Sequence, residues 1–272
     1  MSLAGAQSKI PVVLVNGEIA IPAPGEATSH ILKPPIERFP GTTENEAFAM
    51  RLAKKIGLVV ADVEIRHAGN RPFLLVERYD RVRGEDSELR RLHQEDFCQA
   101  LGYTSDRKYA ADGGPTFRDC FDLLRRVASR PAVEVLKLFD AAIFNLIIGN
   151  ADAHAKNYSL LHLANGAIEL APLYDLLSTV YYPELSPRLA MKIAKRHTLE
   201  ELKSSDWEKF ADETGLALRF IRTRAKELAD AVNKLISETK ADILESAPDK
   251  NAVEEIAELI TARSRFLLQR IP

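Results

Sequence analysis

Gly149-Asn150-Ala151-Asp152-Ala153-His154-Ala155-Lys156-Asn157, followed further on by Pro172-Leu173-Tyr174-Asp175, is the stretch on which the reading of this chain turns. An aspartate, an asparagine five residues later and a second aspartate beyond a short strand-like segment have the spacing of a phosphoryl-transfer centre. Asp152 can accept the proton of an attacking hydroxyl. Asn157 and Asp175 offer oxygen ligands to magnesium, a hard cation that takes few protein carboxylates and fills its shell with phosphate oxygens and water. The same hexapeptide, taken alone, also fits a helix cap or an Asx-turn. Its surroundings favour the chemistry. Upstream, Val135 to Ile148 is apolar almost all round on a 3.6-residue period, the pattern of a buried helix. Gly149-Asn150 supplies a stop signal. Downstream, Tyr158 to Leu163 and Ala167 to Leu173 read as two strands of a hairpin turning at Asn165-Gly166. A hairpin returns to its starting point, so Asp152, Asn157 and Asp175 are expected to meet.

Composition leaves room for this. At 272 residues the chain can bury a large core, and 46% apolar with 28% charged residues is ordinary for a globular protein. A net charge of −2 gives no global pull toward nucleic acid or a lipid surface. No apolar run approaches the roughly 20 residues of a membrane span. Cys98 and Cys120 imply no disulfide framework, and the six histidines are scattered along the sequence without metal-ligand spacing. No secretory pattern follows Met1, and cytoplasmic residence is the expectation.

Along the chain the organisation shifts once. Up to about Arg81 it is strand-rich. A hairpin on Asn16-Gly17 comes first, then a strand ending at Lys33, and a helix from Thr43 to Lys55 with a Thr43/Glu46 capping box. A second hairpin runs across Ala68-Gly69-Asn70. Beyond it, helices are expected over 94–101, 116–128, 132–148, 199–214, 218–239 and 252–270. The fold class is therefore α+β, a two-lobed protein-kinase-like arrangement. Residues 1–81 form a small β-rich lobe and residues 82–272 a larger helical lobe, with a nucleotide cleft between them.

A kinase also needs a phosphate cradle, a lysine on a strand and an acid to hold that lysine. The small residues of Ser2-Leu3-Ala4-Gly5-Ala6-Gln7-Ser8-Lys9 would let backbone N–H groups approach phosphate oxygens. Lys33 can reach the α- and β-phosphates, and Glu46, in the first turn of the next helix, is its candidate partner. Val76 to Arg81 lies where the lobes join and can face an adenine edge. His154 and Lys156, close to Asp152, are candidates for steadying a γ-phosphate.

Taken in order, these pieces resemble the kinase core of the HipA family, the serine/threonine-kinase toxins of bacterial type II toxin–antitoxin systems. The resemblance rests on Ser2 to Gln7, Thr28 to Lys33, Glu44-Asn45-Glu46, Val76 to Arg81 and His93-Gln94-Glu95-Asp96. It continues with Lys108-Tyr109, Asp112-Gly113-Gly114-Pro115, Asp152 to Asn157 and Pro172 to Asp175, so it covers roughly residues 2 to 180. It implies an ATP- and magnesium-dependent protein kinase. Asp152 would be catalytic, Asn157 and Asp175 metal-binding, and Lys33 on the phosphates. Glu77 and Tyr79 would line the adenine site, Ala4, Gly5, Ala6 and Gln7 would form the phosphate loop, and Ser2 would fall at the family's autophosphorylation site. The implied substrate is an aminoacyl-tRNA synthetase and the outcome growth arrest with persistence. The implied partner is a helix-turn-helix antitoxin, through which DNA is contacted only indirectly; no membrane is involved. The family usually carries a further N-terminal subdomain before the phosphate loop. This chain starts at that loop, as in a fragment or in a system whose subdomain is a separate small protein.

Two other readings stay open at this stage. The motif fits a kinase of small molecules equally well. Basic clusters at Lys192, Lys195 and Arg196, and at Arg219, Arg222 and Arg224, fit a catalytically idle corepressor, although with this net charge a solvated helix face explains them more simply.

Overall fold

The computed structural model describes residues 7–84 and 88–272. Its first layer is an antiparallel five-stranded sheet in the order β2-β1-β3-β5-β4. The strands are β1 (Ile10–Val15), β2 (Glu18–Ala20), β3 (His30–Lys33), β4 (Val63–Ala68) and β5 (Arg71–Glu77). Asn16 and Gly17 both take positive φ, 52° and 85°, as a two-residue hairpin turn of matching twist requires. Lys33, on the central strand β3, pairs opposite Leu74, so its backbone is fixed by β5.

Helix α1 (Thr42–Lys55) packs beneath this sheet. Its N-cap is Gly41 in the left-handed region with no side-chain cap, so the expected Thr43/Glu46 capping box is not made. Glu46 is turned instead to Lys33, an ionic partner worth more than a cap. Gly41 is required by a close approach, since a Cβ there would meet Ala252 Cβ at 2.9 Å.

The second part is mostly helical. It contains α2 (Phe97–Ala100), α3 (Phe117–Val127), α4 (Pro131–Ile148), α5 (Asp206–Thr214), α6 (Leu218–Leu244) and α7 (Lys250–Leu268). Helix α4 is its axis. Leu138, Phe139, Ile143, Phe144 and Ile147 are fully buried, and one continuous apolar core joins them to Phe48 of α1 and to Ile236 and Ile256 of α6 and α7. The C-terminal helices therefore brace the helix of the β-rich part as well as their own.

Three departures from the sequence reading have physical causes. Residues 94–96, expected to open a helix, lie in strand β8 (His93–Asp96). They pair with β9 (Ser159–His162), which continues into β10 (Ile168–Leu170), and only Phe97–Ala100 are helical. Cross-strand pairing outweighs weak local preference. The 199–214 segment is helical only from Asp206, because the Asp206 carboxylate accepts the Lys203 N–H at 3.0 Å and starts the helix there. An unanticipated two-stranded ribbon, β6 (Arg81–Arg83) with β7 (Leu89–Arg91), follows the sheet. Among the described residues no helix is long and apolar enough to cross a membrane.

Candidate active site

Helix α4 leads directly into the segment that carries Asp152 and Asn157. It ends at Gly149, φ 74°, where an added Cβ would lie 2.3 Å from Val180 Cγ2. This approach lets 149–152 be stitched to the 175–180 segment. Asn150 Nδ2 donates to the Asp175 carbonyl at 3.3 Å, and Ala151 N–H donates to Thr179 Oγ1 at 2.8 Å. On the other side, Tyr174 Oη donates to the Lys156 carbonyl at 2.8 Å and accepts from Ser159 Oγ at 2.7 Å. The chain next to Asp152, the chain next to Asn157 and the chain next to Asp175 are thus bonded into one unit.

Asp175 occupies the left-handed region at φ 52°, a conformation an aspartate tolerates better than most residues and one common at functional sites. Its carboxylate contacts Lys33 Nζ and accepts from Lys9 Nζ at 3.0 Å. Lys33 Nζ also donates to Glu46 Oε1 at 2.5 Å. All of Lys33, Glu46 and Asp175 are buried. Burial disfavours the Lys33 charge, but the two carboxylates outweigh it and hold the ammonium above its ordinary range. Burial likewise opposes the Asp175 carboxylate, yet Lys33 and Lys9 hold its pKa well below the usual carboxylate range. Glu46 goes the other way, pushed up by burial and by the like charge of Asp175 despite Lys33.

Above this cluster lies a cleft of about 150 Å³ whose walls include Ile31, Val76, Glu77, Tyr79, Gln94 and Tyr174. Tyr79 stacks on Tyr174, with ring centroids 5.7 Å apart, and its hydroxyl donates to Gln94 Oε1. The Glu77 N–H is engaged by Asp62 O at 2.8 Å and the Arg78 N–H by Ser29 O at 2.9 Å, so those two donors belong to the fold.

Asp152 sits on the wall of a second cleft of about 300 Å³, with Thr179, Arg188, Lys192 and His197 around it. Its Oδ1 accepts from Tyr109 Oη at 2.9 Å. Asn157 is buried at the end of a single 3-10 turn (Ala155–Asn157) just before β9, and its Oδ1 accepts the His154 N–H at 3.2 Å.

Two sequence candidates are placed differently from expectation. The His154 side chain is buried, 4% exposed, with its ring edge-on to Tyr109. Burial pushes its pKa down against the raising field of Asp152, which disfavours the imidazolium form, and both ring nitrogens are buried without a hydrogen-bond partner among the described residues. Lys156 Nζ pairs with Asp96 Oδ2 at 2.6 Å, which ties the 152–157 segment to β8. In the phosphate loop, Ser2, Ala4, Gly5 and Ala6 lie outside the described residues. Gln7 is anchored by Nε2 on the Pro34 carbonyl at 3.1 Å. Each basic cluster is partly spent on acids. Arg196 is forked onto Asp206 and Arg224 onto Asp140.

Lys9, Gln94, Tyr109 and Tyr174 had been given no role from the sequence. Each stands inside or beside a quoted motif, but only the contacts with Asp175, Tyr79, Asp152 and Lys156 reveal what it does.

The donor set fits a magnesium nucleotide. Asp175 and Asn157 carry oxygens of the hard kind magnesium takes, and Lys33 is a buried cation in contact with Asp175. A curled sheet joined to a helical part, with a lysine–acid network at the base of the cleft, defines a protein-kinase-like fold. Residues 1–241 match the family described as the HipA-like C-terminal domain, and the chain belongs to that family. It is 56% identical to a putative kinase, Y4mE, of Sinorhizobium fredii over 98% of this chain and 63% of the relative. It is 34% identical to the serine/threonine-protein kinase toxin HipA of Shewanella oneidensis over 88% of this chain and 57% of that protein. The chain thus spans less than two thirds of the length of these relatives. The solved complex of Shewanella oneidensis HipA with HipB and operator DNA superposes with a TM-score of 0.89 at 28% identity, over all of this chain and 66% of that one. The Helicobacter pylori kinase CtkA shares the fold alone, with a TM-score of 0.66 at 14% identity over 97% of this chain and 89% of that one.

Proposed function

We propose that this chain is the kinase core of a HipA-like protein serine/threonine kinase that transfers the γ-phosphoryl group of ATP with magnesium. The observation that carries the reading is the buried Lys33–Glu46–Asp175 cluster at the base of one cleft, bonded through Asn150 to the segment that carries Asp152 into a second. Magnesium, when bound, neutralises charge developing on the phosphates. Asp175 and Asn157 would hold it. Lys33 would hold phosphate oxygens while Glu46 keeps it in place. Tyr79, Tyr174 and Gln94 would flank the adenosine, with Glu77 at the edge. Asp152, steadied by Tyr109, would orient the acceptor hydroxyl and take its proton. Most of the rate would come from positioning and fixed charge. Lobes meeting near Arg81 belong to the same reading.

The family also supports a translation-related protein substrate such as an aminoacyl-tRNA synthetase, a cytoplasmic setting, and self-modification at Ser2. The solved relative was captured with HipB on operator DNA, which supports an antitoxin as partner. The test is incubation with γ-labelled ATP and a cell lysate. Label on protein bands, lost in Asp152→Asn and Asp175→Asn, supports the reading. Label confined to small solutes replaces it with a metabolite kinase.

A further inference from the structure

The histidines look scattered in the sequence, but β8 and β9 bring two of them together. Their ladder puts His93 directly opposite His162. Opposed residues share one face of a sheet, and so do residues two apart on one strand, so Glu95 joins them. One donor atom from each of the three side chains lies within 4.8 Å of the other two. The His162 Nε2 is 2.9 Å from Glu95 Oε1, and the two imidazole rings are 4.8 Å apart at their centroids. His93 is exposed and the other two are half-buried, so an aqueous ion can reach them. The backbone ladder, not a mobile loop, sets their spacing.

We propose that His93, Glu95 and His162 form a binding site for a divalent transition-metal ion of the zinc class. Two imidazoles and one carboxylate are a zinc-type set of three protein ligands, with water completing the coordination shell. The same set discriminates against magnesium, which prefers an all-oxygen octahedron, so this site and the nucleotide's metal do not compete. Contraction onto the ion needs rotation of His93, whose exposure leaves it free to turn. The ion lies on one face of β8. Gln94, which holds Tyr79, and Asp96, which holds Lys156, point from the opposite face. It would pin β8 to β9 behind the nucleotide cleft without touching it.

The test is equilibrium dialysis and calorimetry of untagged full chain with zinc chloride, in the presence of excess magnesium. Expected are one zinc per chain, a zinc-dependent rise in melting temperature, and loss of both in His93→Ala and in His162→Gln. The second substitution keeps an amide for Glu95, and the first removes an exposed ring, so metal-free melting and circular dichroism stay as in the parent. Absence of stoichiometric zinc binding to the parent overturns the proposal, as does unchanged binding to the double variant His93→Ala/His162→Gln.

Discussion

The Lys33 ammonium rests against the Asp175 carboxylate across 142 residues of sequence, both side chains buried. A lysine fixed on a central strand and an aspartate held at positive φ are brought together by the whole fold. Glu46 shares the lysine, so the cluster holds two acids that repel each other unless the cation is present.

Replacing Lys33 by Met is expected to abolish phosphate transfer and also to destabilise the chain. Removing one partner of a buried ion pair costs about 3–5 kcal/mol because a charge is left uncompensated. The double variant Lys33→Met/Glu46→Gln should recover part of the lost stability and none of the activity. Chemical denaturation and labelled-ATP transfer, measured on the same preparations, check both halves. Equal stability of the two variants would show that Glu46 does not feel Asp175.

Asp152 presents the opposite balance. It lies on the wall of an open cleft, and Asn at this position keeps an oxygen for the Tyr109 hydroxyl. Asp152→Asn should melt like the parent while transfer falls by about 10²–10⁴-fold, the usual worth of a positioned general base. Tyr109→Phe removes only the hydrogen bond that steadies the carboxylate. A net bond of about 1 kcal/mol predicts roughly a fivefold fall in transfer rate with ATP affinity unchanged.

How much of this was readable in the sequence differs by element. Helix α4 and the β9–β10 hairpin were visible because apolar periodicity and an Asn-Gly turn are local signals. The order Asp152, Asn157, Asp175 was visible because it lies in one continuous stretch. Residues 93–96 were not readable as a strand, since their pairing partner is 159–162 and nothing nearby announces it. The same long-range register hid the approach of His93 to His162. His154 looked like a candidate cation because sequence reports residue type and neighbours. Its burial against Tyr109, a contact across 45 positions, disfavours the charged form. Glu46 had two readings, cap and lysine partner, and only the left-handed Gly41 cap and the Lys33 contact separate them.

Gly149 carries a prediction of its own. Its φ of 74° and the 2.3 Å approach that a Cβ would make to Val180 act together. Gly149→Ala should cost about 2–4 kcal/mol, part from the backbone and part from overpacking. Adding Val180→Ala removes the closest contact but leaves Arg263 Nε at 2.9 Å from the new Cβ, so denaturation midpoints should fall for Gly149→Ala and rise partway back in the pair. Full recovery would mean that neither the left-handed backbone nor the Arg263 contact contributes.

Asp206 offers a pH test far from the cleft. Burial by itself would raise its carboxyl, but Arg196, the Lys203 N–H and Lys209 outweigh that and hold it at about 2, below the ordinary value of 3.8. A depressed folded-state pKa means the unfolded chain binds the proton more readily. The stabilisation is therefore complete above about pH 5, where even the unfolded carboxyl is ionised, and is lost as pH falls from there toward about 2. Its size, about 2 kcal/mol, follows from the shift. Asp206→Asn should be less stable than the parent by about this amount at neutral pH, with the gap closing as the solution is acidified. Urea titrations at a series of pH values read it directly. A gap that stays constant down to pH 2.5 would assign the loss to packing and helix initiation, and not to the Arg196 and Lys209 charges.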